Sequence, residues 1–130
     1  MREQNLELAT RGYELFGKAD LDTMKKEIFS PDVVWRTEGF APFETEYKGI
    51  EAVVGYFGGL FERSGGTFKA EPLHVYADDD RAVVIQHVTG TRAGKLLDTR
   101  MVLVFEIHDG RVFEVTQFGA EPSKLEAFWS

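Results

Sequence analysis

Apolar and polar positions along this chain follow two periods in turn. Over residues 4–18 the apolar positions recur at helical spacing, with Leu6, Ala9, Tyr13 and Phe16 on one face and Leu8 and Leu15 widening the stripe. Asp20 reads as the N-cap of a second, short helix in which Leu21, Met24 and Ile28 share a face. Ser30-Pro31-Asp32 is expected to stop it, because proline lacks a donor and biases its predecessor away from helix. Residues 33–37 (VVWRT) read as a short strand, and 38–47, with proline, glycine and three glutamates in no period, as a loop or lid. A third helix follows over 50–62, with Val53, Val54, Phe57, Leu60 and Phe61 inward. Gly58-Gly59 inside it costs about 1 kcal/mol per glycine relative to alanine. Two explanations stand: close packing of the helix on a sheet, or room left for a ligand.

The second period begins at 68–77, a strand, followed by an acidic turn at Asp78-Asp79-Asp80. Residues 82–118 then read as three consecutive antiparallel strands, broken at Arg92-Ala93-Gly94-Lys95 and His108-Asp109-Gly110-Arg111. Asp-Gly is a strong hairpin signal, since glycine accepts the positive φ that a twisted ribbon requires. Residues 101–105 (MVLVF) are continuously apolar, so both faces of that strand need cover. Glu121-Pro122-Ser123 opens a C-terminal helical turn with Leu125, Phe128 and Trp129 available to pack. The pattern predicts one α+β domain spanning 1–130. Its helices can cover one side of so apolar a sheet. The other side needs a partner, most simply a second copy of the chain.

Composition narrows the function classes. A net charge of −7 with no basic patch argues against nucleic acid. No apolar run approaches the length of a membrane span, and the polar start carries no visible signal peptide, so neither a membrane nor export is expected. The absence of cysteine removes disulfides and thiolate chemistry and fits a cytoplasmic setting. No cofactor or metal is expected. His74, His87 and His108 lack a clustered carboxylate, and the three aspartates lack the glycine and downstream glutamate of a calcium loop.

The order and spacing of four segments resemble the SnoaL-like branch of the nuclear-transport-factor-2-like superfamily, which includes ketosteroid isomerase and limonene-epoxide hydrolase. They are Ala19-Asp20-Leu21-Asp22, then Phe29-Ser30-Pro31-Asp32-Val33-Val34-Trp35, Lys48-Gly49-Ile50-Glu51-Ala52-Val53, and the hairpin at 104–112 (VFEIHDGRV). The resemblance implies a cone-shaped fold, a strongly bent antiparallel sheet wrapped on three helices of the N-terminal half, with a pocket at its wide end. It also implies a homodimer through the outer sheet face.

Matching the turns to the family pattern, with strand alternation, points Val84, Gln86, Val88, Thr99, Met101, Leu103, Phe105, Val115 and Gln117 inward. Trp35 and Thr37 join them from the first strand, and Tyr13, Phe16, Phe57 and Phe61 from the helices. The implied pocket, lined by Tyr13, Phe16, Trp35, Thr37, Phe57, Phe61, Gln86, Met101, Leu103 and Gln117, is apolar with few polar groups, as small-molecule sites are. His87, Asp98, Arg100, Val102 and Val104 fall on the outer face.

The functional residues of the relatives do not carry over. The isomerase base position falls at Thr37, its helix-one tyrosine at Gly12 and its second aspartate at Leu103. The arginine and two aspartates of the epoxide hydrolases fall at Val84, Gln86 and Gln117, and Gln117 departs equally from the acidic residue of many SnoaL-type cyclases. An amide has no usable basicity and can only hydrogen-bond. Three readings follow: a binder of a small hydrophobic molecule; a divergent isomerase, cyclase or hydrolase acting on a polyketide-, steroid- or terpene-like substrate; or a filled cone with a dimer role alone. In the second, the base is Glu38 or a bound water, Glu38 lying one position past that of the isomerases and inward only with a bulge. For the two glutamines the plain alternative is a buried amide pair bonded to each other and to backbone.

Overall fold

In the computed structural model, residues 1–39 and 42–130 are described. Among them four helices and six strands run in the order α1 (Arg2–Gly17), α2 (Leu21–Glu27), β1 (Phe29–Arg36), β2 (Glu46–Lys48), α3 (Ile50–Arg63), β3 (Lys69–Ala77), β4 (Arg81–Arg92), β5 (Lys95–His108), β6 (Arg111–Gly119) and α4 (Pro122–Trp129). The strands form one curved, unclosed sheet in the order β2-β1-β6-β5-β4-β3, and the domain is the expected cone-shaped α+β fold.

The two predicted breaks are the β4–β5 and β5–β6 turns, each placing a non-glycine residue and then a glycine at positive φ: Ala93 and Gly94, Asp109 and Gly110. β4 and β5 pair from Arg81↔Glu106 to Arg92↔Lys95 without a slip, so alternate residues of both strands face the helices. Val84 and Val88 are fully buried, and Thr99, Met101, Leu103 and Phe105 are buried beside them. The intervening Val83, Ile85, Val102 and Val104 are only half-buried on the opposite face.

The sheet is mixed where an antiparallel one was expected, because β1 runs parallel to β6. β1 also begins earlier than predicted, at Phe29, and passes through Pro31. The β1–β6 register slips between Phe29 and Val34, so proline sits where the ladder asks for no N–H. The predicted loop over 38–47, which spans residues 40 and 41 outside the described set, ends in β2, paired antiparallel to β1. The C-terminal helical turn is a full helix, α4, whose Leu125, Phe128 and Trp129 are buried.

Helices α1, α3 and α4 pack chiefly against β3, β1 and β5 respectively. The buried residues of α1 are Asn5, Ala9, Gly12, Leu15 and Phe16, a stripe rotated from the predicted one. Asn5 anchors it by donating to the Asp78 carbonyl at 2.9 Å. The Asp78 carboxylate in turn accepts from the backbone N–H groups of Asp80 and Arg81, both at 2.8 Å, so the acidic turn uses it as a brace. Helix α3 buries Val53, Tyr56, Phe57 and Leu60, the i, i+3, i+4, i+7 set. A side chain at Gly58 would meet nothing within 4 Å, and at Gly59 only Phe43 at 3.5 Å. The glycine pair is therefore not explained by close approach to the sheet.

Candidate functional site

The inner face of the sheet and the helices line a partly open cavity of about 80 Å³. That is several times the ~10–15 Å³ that admits one water and well below the ~300–1,000 Å³ of drug-sized sites. Of the predicted residues, Tyr13, Phe16, Trp35, Thr37, Phe57, Gln86, Met101, Leu103 and Gln117 all line it. Phe61 does not. It is half-buried and packs against Phe16, ring centroids 4.9 Å apart. Glu38 does not either: it is exposed, and its carboxylate accepts the backbone N–H of Gly119. No bulge turns Glu38 inward.

Two amides organise the polar part of the cavity. Gln117 lies on β6 opposite Leu103 of β5, and its Oε1 accepts from Trp35 Nε1 at 3.1 Å and from the Tyr56 hydroxyl at 3.3 Å. An indole nitrogen only donates, so the amide oxygen must be the atom facing Trp35. Gln86 lies on β4 opposite Met101; its Oε1 accepts from the Tyr13 hydroxyl at 2.6 Å and its Nε2 sits 3.6 Å from Met101 Sδ. A thioether cannot donate, so this amide is oriented as well. The glutamines are thus not bonded to each other. Each is held by an aromatic donor from another element, which fixes its rotamer across the cone.

Burial raises the pKa of both phenols, Tyr13 by desolvation alone and Tyr56 by desolvation against a smaller opposing effect of its bond to Gln117. Both are neutral donors throughout the physiological range. Thr37 is occupied too: its hydroxyl donates to the Glu44 carbonyl at 2.7 Å and accepts from Gly39 N–H at 3.0 Å. Among the described residues that line the cavity, none is an acid, a histidine, a lysine or an arginine.

Sequence reasoning passed over Tyr56, Phe43, Leu125 and Trp129, all of which line the cavity. Tyr56 was within reach of the pattern, three residues beyond Val53 on the buried stripe of α3. It stacks on Tyr47 at 4.6 Å and lies 6.0 Å from Trp35. Phe43 and Trp129, from the loop and from α4, meet edge to face at 4.9 Å, a contact between segments far apart in sequence.

On the outer face His87 Nε2 lies 2.7 Å from Asp98 Oδ1, and this bond is the chief reason the Asp98 carboxyl is held below its ordinary pKa.

This arrangement of bent sheet and covering helices is shared with known proteins. A family model for the SnoaL-like domain matches residues 9–115, and the chain belongs to that family. It is similar to Bal32a, from a soil-derived mobile gene cassette, at 37% identity and a TM-score of 0.95, covering 99% of this chain and 98% of that one. A protein of unknown function from Xanthomonas campestris is 27% identical with a TM-score of 0.89, covering 100% of this chain and 99% of its own. The uncharacterized protein Rv0034 of Mycobacterium tuberculosis is 27% identical over 98% of each chain.

Proposed function

We propose that this chain binds a small, largely apolar molecule in the cavity and holds it by shape and by neutral hydrogen bonds, without acid–base chemistry from its own side chains. One observation carries the reading: the described lining combines aromatic and aliphatic groups with two oriented amides and contains no group that takes up or releases a proton near neutral pH. The family positions matched to catalytic acids bear Gln86, Gln117, Leu103 and Thr37, all in the lining. The version of the isomerase, cyclase or hydrolase reading that relies on Glu38 as base loses its support, because the exposed Glu38 accepts the Gly119 N–H. The version with a bound water as base does not depend on it. The cavity falls well short of the ~300–1,000 Å³ of drug-sized sites, so a ligand of several rings requires lining side chains to move, of which Phe43 is only half-buried.

The same proposal includes a second copy of the chain on the outer sheet face. Val83, Ile85, Val102 and Val104 are half-exposed there, flanked by Tyr76 at 59% and Phe118 at 51% exposure. A contiguous apolar face of this kind is what a self-complementary interface covers.

Native mass spectrometry of freshly purified protein tests the ligand reading, together with a titration of ligand-stripped protein with ethylbenzene. The chain has two tryptophans, Trp35 and Trp129, and both line the cavity, so their indole N–H resonances report occupancy. A retained small-molecule mass, or saturable shifts of both resonances, is the expected result. Absence of both would overturn the reading.

A further inference from the structure

The two amides are not equivalent once their partners are counted. At Gln86 both ends are engaged, Oε1 by Tyr13 and Nε2 by Met101 Sδ. At Gln117 the oxygen is doubly engaged by Trp35 and Tyr56, while Nε2 has no protein acceptor among the described residues. Yet among the described residues no sealed side-chain nitrogen or oxygen lacks a partner, so Gln117 Nε2 is not walled in. Gln117 is 8% exposed and lines the cavity, which places its free N–H groups toward that space. The amide cannot rotate to relieve this, because exchanging its ends would set an N–H against the donor-only indole of Trp35. Trp129 Nε1 is likewise without an acceptor among the described residues and also belongs to the lining. The Tyr13, Tyr56 and Thr37 hydroxyl hydrogens are already donated to protein oxygens.

We infer that Gln117 Nε2 is a preset donor for a carbonyl-type oxygen, so that the ligand is an apolar, ring-sized molecule carrying a ketone, quinone or ester oxygen. This rests on the cavity being a ligand site. Given that, the chemistry follows from the cost of leaving N–H groups facing an apolar ligand: they give up water and receive nothing in exchange. A ligand with an acceptor at that point replaces the water bond; a pure hydrocarbon does not.

Acetophenone and ethylbenzene test it, being nearly the same shape and differing in one carbonyl. Both are titrated into the full chain, following the Trp35 and Trp129 indole resonances, and the readout is the ratio of their dissociation constants. The decisive variant is Gln117→Glu at pH 8, which keeps an oxygen for Trp35 and Tyr56 but replaces the N–H groups by a second acceptor. The ratio is expected to move at least about fivefold against acetophenone, the scale of one net hydrogen bond. If the glutamate variant does not fold, the carbonyl stretch of acetophenone bound to the unaltered chain gives the readout instead, moved to lower frequency by a donated N–H; an unshifted stretch overturns the donor assignment. An unchanged ratio in a folded variant overturns the donor assignment while ethylbenzene binding leaves the cavity reading standing. Failure of both probes to bind the unaltered protein overturns this inference, and with no retained small-molecule mass it overturns the cavity reading as well.

Discussion

The bond from the Tyr56 hydroxyl to Gln117 can be isolated by a double-mutant cycle, because the same substitution should change sign with its background. Tyr56→Phe in the otherwise unaltered chain removes a donor from a 3.3 Å bond between buried groups. The loss is about 1 kcal/mol, the net value of one such bond. Gln117→Leu removes the shared acceptor and leaves Tyr56 Oη and Trp35 Nε1 unpaired in the interior, where each orphaned donor costs roughly 1–3 kcal/mol. In that background Tyr56→Phe deletes one orphan and should stabilise by about 1 kcal/mol. The Trp35 contribution is common to both sides of the cycle and cancels. The coupling is therefore about 2 kcal/mol, inside the range for residues in one network.

For a chain of this length each kcal/mol moves Tm by about 3–5 °C. Tyr56→Phe should lower Tm by a few degrees alone and raise it by a similar amount on Gln117→Leu. Urea unfolding of the four proteins, followed by circular dichroism, gives the free energies directly. Equal destabilisation by Tyr56→Phe in both backgrounds would refute the shared-acceptor geometry, and with it the orientation assigned to Gln117.

Three further expectations concern other parts of the fold. Asp78 is held below its ordinary value of 3.8, first by the Asp80 and then by the Arg81 backbone N–H. A depressed carboxyl contributes stability that is full above pH 3.8 and is lost as pH falls through its lower folded value, so Asp78→Asn should be less stable than the native chain at pH 7, with the difference shrinking below pH 3.8 and gone once pH is below that folded value in thermal scans. A Cβ at Gly119 would lie 2.7 Å from Leu125 Cδ1 and 3.0 Å from Glu38 Oε1. Both atoms are the free ends of side chains that can turn away, so Gly119→Ala should cost no more than about 1 kcal/mol in the same urea assay, well under the ~1–3 kcal/mol of overpacking a rigid core. A larger loss would show that Leu125 cannot yield. Sedimentation velocity should find the native chain dimeric and Val104→Lys monomeric with an unchanged circular dichroism spectrum; a native monomer would dismiss the outer-face partner.

Much of the site was readable because β-strands convert sequence position into direction. Once the turns at 92–95 and 108–111 are placed, alternation sends Gln86, Met101, Leu103 and Gln117 to one face, and the unslipped β4–β5 ladder keeps them there. Helices are less forgiving. On α3 the expected stripe is wider than the buried one: Val54 and Phe61 are half-buried, while Tyr56, with its polar tip, is buried among Val53, Phe57 and Leu60. What stayed invisible was non-local or against local rules. The parallel pairing of β1 with β6 joins opposite ends of the chain and leaves no hairpin signal. Pro31 reads as a break unless the bulge that accommodates it is known. The three residues of β2 are too few to show a period. That each glutamine would find an aromatic donor depends on where Tyr13, Trp35 and Tyr56 meet in space, which no spacing rule encodes.

The surroundings of Gln117 also bear on whether a carboxylate at that position would make this scaffold a catalyst. Trp35 Nε1 and the Tyr56 hydroxyl both donate to the same oxygen, and a carboxylate there would inherit both bonds. Donors aimed at an anion lower its pKa, whereas the desolvation of a largely buried site raises it, so the two effects oppose each other. An ionised group satisfied by two donors is a stable acceptor and a poor base, since taking a proton means giving up a charge-assisted bond. To gain basicity the site would have to lose a donor as well as gain the acid, for instance by Tyr56→Phe beside Gln117→Glu. Binding and proton abstraction thus place opposite demands on the same pair of aromatic residues, and the present set of neutral amide, indole and phenol is the one that the proposed binding role requires.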